Sequence, residues 1–296
     1  MTTSDRACVA CVVLLLAGCR CAPSESPNPA DALAPSAAPR PLASATASAL
    51  PSEGAAPPAE PAQVTCPDTM TTIGALCIDT HEVTTADYLA CVASAHCAPP
   101  GVTNERPGIT QAERTLLDPL CNAREPLERA THPINCVDFA AASAFCRAQG
   151  ARLPSAGEWE RAACGPRRSR YPWGESAPVS RLLNACGEEC VAWKKEHEDL
   201  LAKPPLAELR PRAEAYPGDD GFVGTAPVGS FHAGASPEGI EDLAGNVAEW
   251  VDDHTVRGGS WLSTKDDSVR AVARRVEAGP ESTTSATIGF RCAKPL

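Results

Sequence analysis

The stretch Ser236-Pro-Glu-Gly-Ile-Glu-Asp-Leu-Ala-Gly-Asn-Val-Ala-Glu-Trp-Val-Asp-Asp253, followed shortly by Arg257-Gly-Gly-Ser-Trp-Leu-Ser263, decides how the chain is read. Two turn-forming pairs, Gly245-Asn246 and Gly258-Gly259, each stand a few residues ahead of a tryptophan, Trp250 and Trp261. Glycine and asparagine adopt positive φ at little steric cost, so both pairs predict tight reversals. Two of the five tryptophans fall inside this segment, so the reversals are expected to feed two strands of a buried core.

Ahead of this segment the composition changes twice. Met1 to Arg6 carries one basic residue, Ala7 to Leu16 is unbroken apolar or cysteine, and Leu16-Ala17-Gly18-Cys19 has the small-residue pattern of a lipoprotein signal. An apolar run of about ten residues is too short for a bilayer, which needs roughly 20. Residues 1–18 are therefore read as a signal peptide and Cys19 as the acylated residue, anchoring the protein at the cell envelope. The outer membrane, or a periplasmic or extracellular face, is the expected location. Residues 19–65 are dominated by Ala, Pro and Ser, with no aromatic between Ser24 and Val64. Such a tether buries too little apolar surface to order itself and would extend about 30–40 Å. The globular domain is expected over 66–296.

A net charge of −11 argues against nucleic acid, whose phosphates demand clustered cations. Fifteen cysteines in an exported chain point to disulfides. Cys66/Cys77, Cys91/Cys97 and Cys186/Cys190 are near enough in sequence to bridge locally, and Cys121/Cys136 is a plausible fourth pair. Eleven cysteines lie in the domain, so one is free or pairs outside it.

Local signals give an α+β domain with short elements. Ala75 to Asp79 reads as a strand, and a helix follows the capping Thr84. Pro99 to Leu127 reads as loop-rich and His132 to Val137 as extended. A helix over Phe139 to Gln149 should stop at Gly150. Ser155 and Glu158 have capping-box spacing and open another helix. Trp193 to Ala202 reads as a charged, exposed helix, and from Tyr216 onward turns and short strands are expected.

Familiar catalytic patterns are missing. His197-Glu198 lacks the second histidine of a zinc protease, because Leu201 stands there. Gly258 to Leu262 fails the nucleophile elbow. Gly218-Asp219-Asp220-Gly221-Phe222 and Glu241-Asp242 put carboxylates in turn-rich backbone, the oxygen mixture calcium prefers.

Taken in order, eight motifs make the chain resemble the sulfatase-modifying-factor family, whose type member is formylglycine-generating enzyme. They are Cys77-Ile-Asp-Thr-His-Glu-Val-Thr84, His132-Pro-Ile-Asn-Cys-Val-Asp138, Arg152-Leu-Pro-Ser-Ala-Gly-Glu-Trp-Glu160, Tyr171-Pro-Trp-Gly174, Gly224-Thr-Ala-Pro-Val-Gly-Ser-Phe231, Gly245-Asn-Val-Ala-Glu-Trp250, Arg257-Gly-Gly-Ser-Trp261 and Gly289-Phe-Arg-Cys292. The resemblance implies a C-type-lectin-like fold with little regular secondary structure, and a Cys146–Cys292 disulfide. It implies two structural calcium sites. The first would use Asn184, the Ala185 carbonyl, Asp220 and the Phe222 carbonyl; the second would use Asp242 and the carbonyls of Leu243, Gly245 and Val247. Ala248 departs from the usual tryptophan of the Gly-Asn-Val-Trp-Glu-Trp pattern, which loosens packing there.

The type enzyme holds copper(I) between two cysteines, and the ungapped match puts Ser263 and Ser268 at those positions. A hard, protonated hydroxyl does not replace a soft thiolate, so no copper and no formylglycine chemistry are expected. The expected function is a membrane-anchored, non-catalytic binding or accessory module for an envelope protein, peptide or glycan. The alternative is an oxidoreductase of the same family acting on a protein or small-molecule thiol by a different chemistry.

Overall fold

The computed structural model describes residues 65–202, 214–277 and 279–296. The segment read as a signal peptide (1–18), the expected acylation site Cys19 and the expected tether 19–65 up to residue 64 lie outside the described residues. β1 (Met70–Ile73) and β2 (Leu76–Asp79) form a hairpin whose turn places Gly74 at φ 61°. β7 (Ala293–Pro295), at the other end of the domain, pairs antiparallel with β2, Ile78 facing Ala293. A second sheet has the order β5-β4-β3-β6, from β3 (Ala248–Trp250), β4 (Thr255–Arg257), β5 (Arg274–Val276) and β6 (Ile288–Gly289). Only its β3–β6 pair is parallel. The Ser236–Ser263 stretch thus holds two core strands, but only its first turn leads into one: Gly258-Gly259 follows β4, and Trp261 is buried in a turn, where its indole N–H donates to the Ala286 carbonyl.

The helices follow their caps. Thr84 accepts from the Asp87 N–H at the start of α1 (Thr85–Ala93). Asp138 caps α3 (Phe139–Ala148), and Gly150 follows it with φ 66°. Ser155 and Glu158 close a full capping box on α4 (Ala156–Cys164). The region Pro99–Leu127 is loop-rich, as expected, but holds one α-helix that was not foreseen. It contains α2 (Gln111–Leu117), opened by a second capping box of Thr110 and Glu113. Prolines 107 and 119 on either side make this helix short, which hid its period. The Trp193–Ala202 expectation is also corrected. α5 starts earlier, at Glu188–Glu196, His197 breaks it, and α6 (Glu198–Leu201) follows. Lys194 and Leu201 are buried, because this pair of helices packs back on the domain. His132–Val137 makes only an isolated bridge, Pro133 to Thr84, since Cys136 turns to φ 55°.

Two features lock the elements together. Tyr88 of α1 stacks on Phe145 of α3 at 5.5 Å, and Phe290 meets both edge-on. Each such ring, wholly buried, contributes about 1.5–3 kcal/mol. Arg291 is completely buried and forks onto Glu249 of β3 at 2.7 and 2.8 Å. Its remaining N–H groups donate to the carbonyls of Asp79 and Glu241, so one guanidinium joins both sheets to the Glu241 loop. Glu249 also accepts from the indole N–H of Trp159 at 2.7 Å.

Disulfides reinforce this frame. Cys66–Cys77, Cys91–Cys97, Cys121–Cys136 and Cys186–Cys190 are formed, and Cys146–Cys292 ties α3 to the residue just ahead of β7 across 146 residues. In the chain-entropy picture a loop this long is worth about 4–5 kcal/mol. Cys164 is bonded as well, so the odd cysteine of the domain is not free.

Candidate functional site

The two glycine turns open onto different surroundings. At the first, Gly245 and Asn246 both have positive φ, 89° and 50°. A Cβ at Gly245 would stand 2.0 Å from the Asn184 carbonyl oxygen, so the turn tolerates no side chain there. The same carbonyl accepts from the Asn246 N–H at 2.8 Å, which brings Asn184 and Ala185 beside the turn. Asn184 donates its amide N–H to the Gly224 carbonyl, but its Oδ1 is buried without a hydrogen-bond partner. Orphaned buried acceptors are rare, so this oxygen is suited to a cation.

Asp220 completes that corner. Its Oδ2 accepts from Tyr216 at 2.5 Å and from the Ala185 N–H at 3.2 Å, and its Oδ1 accepts from the Phe222 N–H at 2.9 Å. Burial pushes its carboxyl up to about 7, despite these bonds. The four residues of the first expected calcium set are therefore gathered. Glu189, which the motifs did not reveal, joins them. It accepts from the Gly187 and Asp220 N–H groups, and its carboxylate lies within 4.8 Å of those of Asp219 and Asp220. Its one sequence cue was its place inside the short Cys186–Cys190 loop.

The second set is contiguous rather than converging. Asp242, at φ 58° and 7% exposed, accepts from the Gly229 N–H at 2.6 Å, and burial raises it to about 6. Leu243, Gly245 and Val247 follow in one bend, with the Leu243 carbonyl lying against Gly258. Beneath the bend the buried Glu82 accepts from the Asn246 amide at 2.6 Å and from the Val247 N–H at 3.0 Å. Burial, and then the Asp242 and Glu249 charges, hold Glu82 well above the usual carboxylate range. Glu241 stands outside, between His81 at 3.0 Å and His232 at 2.5 Å.

The second turn leads to the serines. Gly258 and Gly259 have φ of 87° and 75°, and a Cβ at Gly259 would meet the Ser268 carbonyl at 2.5 Å and the Ser263 Oγ at 3.0 Å. Ser263 and Ser268 thus flank one glycine, and both line a cavity of about 430 Å³. Ser263 Oγ accepts from the Ser260 N–H at 3.0 Å, and its carbonyl accepts from the Cys186 N–H, the bond that links this corner to the Asn184 side. Ala248 lines the same cavity. The departure from the motif's tryptophan therefore falls at the serines, which pattern alone could not locate. A larger cavity, about 700 Å³, opens along Asp79, His81, Asp87 and Gln149, and none of the residues expected to act lines it.

Comparison with known proteins adds three findings. The family model described as sulfatase-modifying factor enzyme 1-like domain matches residues 50–296. Inactive C-alpha-formylglycine-generating enzyme 2 of Bos taurus is 34% identical over 179 residues, covering 56% of this chain and 51% of the relative. Formylglycine-generating enzyme of Mus musculus is 31% identical over 192 residues, covering 56% and 45%. The chain spans about half the length of these curated relatives. Among solved structures, PvdO from Pseudomonas aeruginosa aligns at TM-score 0.47 and 21% identity, covering 75% of this chain and 80% of that one.

Proposed function

The chain belongs to the sulfatase-modifying factor enzyme 1-like family, and on that premise we propose that it is a non-catalytic binding or accessory module, carried at the cell envelope by an acylated Cys19. One observation carries this reading: Ser263 and Ser268 share a pocket whose lining offers hydroxyls, one carboxylate and cations, with neither thiol nor imidazole. Soft copper(I) selects thiolate and thioether ligands, and a protonated hydroxyl meets none of that demand. Hydroxyls and cations in a half-open pocket serve recognition instead, of an envelope protein, peptide or glycan. The bovine relative's name, which calls it inactive, supports the view that this scaffold is kept without the reaction. The mouse relative is almost as similar, so the pocket rather than overall identity has to decide.

Calcium belongs to the same reading, as a structural cofactor. Asn184, Ala185, Asp220 and Phe222 would hold one ion, and Asp242 with the Leu243, Gly245 and Val247 carbonyls a second. The unpartnered Asn184 Oδ1 and the crowded carboxylates around Asp220 fit a hard cation with oxygen ligands. When bound, the ion would supply positive charge that this acidic corner lacks.

The direct test incubates the purified full-length protein with a cysteine-containing sulfatase-motif peptide, with and without copper. Mass spectrometry is expected to show the peptide unchanged. An aldehyde product would overturn the reading.

A further inference from the structure

The serine pocket has a floor and a rim of opposite character. Ala248, Gly259 and Ala273 have a methyl group or less, so the volume between them stays open. Lys265, Arg274 and Arg275 stand around it against a single acid, Asp267. In a chain of net charge −11, three cations at one pocket stand out against their background. Arg275 is ion-paired with Glu277. Among the described residues Lys265 and Arg274 form no ion pair, although Arg274 is near enough to Asp253 to lower its carboxyl. The Ser263 hydroxyl oxygen accepts from backbone, which leaves its proton free to donate outward.

The rim is also a sheet edge. β5 pairs with β4 alone, Arg257 facing Arg274 and Thr255 facing Val276, and it is the outermost strand of its sheet. All three of its residues are exposed, Val276 by 69%. Charged residues on a short edge ordinarily discourage association. Here the edge borders a cavity, which gives an incoming side chain somewhere to go.

We propose that the pocket at Ser263 and Ser268 docks an extended acidic peptide, which adds a strand to the outer edge of β5. Its Asp or Glu side chain enters beside Lys265 on the face that Arg275 shares with Val256, and the next residue, apolar and on the other face, covers Val276. This rests on the non-catalytic reading above and names the partner class for that same site. Main-chain bonding along an edge strand requires a polypeptide, which favours a peptide over a sulfated glycan of equal charge.

The test uses the full-length protein and a fluorescein-labelled decapeptide of alternating Glu and Val, read by anisotropy. A Lys/Val decapeptide and a sulfated oligosaccharide serve as comparators. The Glu/Val peptide is expected to bind and the Lys/Val peptide not to bind. Raising salt from about 20 to about 200 mM should weaken binding several-fold, because the pairs at the rim are exposed and screened. Lys265→Glu should weaken it by roughly tenfold or more, since attraction becomes repulsion, and Ser268→Trp should abolish it by filling the cavity. Both variants should melt with the parent. Equal binding of both peptides, or full binding by Lys265→Glu, overturns the proposal. Capture of the oligosaccharide without the peptide overturns it too, while a silent aldehyde assay would leave the non-catalytic reading standing.

Discussion

The Asp242 bend and the Ser263 pocket are under thirty residues apart, yet they obey opposite rules. Around the bend, Glu82, Asn184, Asn246, Glu249 and Arg291 are buried and most of their polar atoms are bonded. Around the pocket, Ser263 and Ser268 are half-buried, while Lys265, Arg274 and Arg275 are exposed. A buried charge or amide that loses its partner keeps its desolvation penalty, so the bend resists change. An exposed group loses little when replaced, so the pocket can exchange one chemistry for another on an unchanged frame. The bend and the pocket therefore differ in how much substitution they tolerate.

The contrast can be broken most directly at its two arginines. Arg291→Met leaves Glu249 buried and unpaired and should cost about 3–5 kcal/mol in urea unfolding of the full-length protein. Arg274→Glu should stay within about 0.5 kcal/mol. Similar losses at both positions would erase the distinction.

Calcium removal tests the buried side next. At a hundredfold excess over its Kd, a bound ion adds about 2.7 kcal/mol, equivalent to a melting shift of about 5–11 °C in a domain this size. Excess chelator should remove that shift in the parent and have far less effect on Asn184→Ala. A melting curve indifferent to chelator would argue against both ion sites.

A smaller effect concerns pH. His132 is buried against Thr225, whose neighbour Ala226 donates its N–H to the Asn246 amide oxygen, and burial lowers the His132 pKa from 6.5 to about 4. The folded state therefore favours neutral imidazole, and the unfolded chain binds more protons between these values. The stabilisation is full above pH 6.5 and disappears as pH falls from 6.5 toward 4. Melting temperature should drop across that window, and His132→Gln should flatten the step. Smallest of all, Ser263→Ala removes one acceptor from the Ser260 N–H and should cost about 0.5–1.5 kcal/mol.

Local signals explain which elements were readable. Ser155 with Glu158, Gly150 just after Gln149, and the short-range cysteine pairs all act within a few residues, so spacing carried their geometry. Thr110 with Glu113 is the same capping signal, but a seven-residue helix between prolines gave it no period to attach to. The break at His197 was invisible because charged residues run through it without a turn former. Glu189 escaped notice because its role depends on reaching Asp220, which is 31 residues on.

By itself, the sequence determined the family, the scaffold motifs, the left-handed glycine turns and the absence of cysteine from the run Ser263 to Ser268. All of these are properties of residue type at short spacing. Only the tertiary structure decided that Ala248, Ser263, Ser268 and Arg274 line a single cavity, and that Asn184 keeps an orphaned oxygen. Those facts depend on β3 pairing with β4 and β4 with β5, and on one glycine turn pressed against the Asn184 carbonyl. Contacts between distant segments are set by packing and hydrogen-bond satisfaction across the whole domain, which no local pattern encodes.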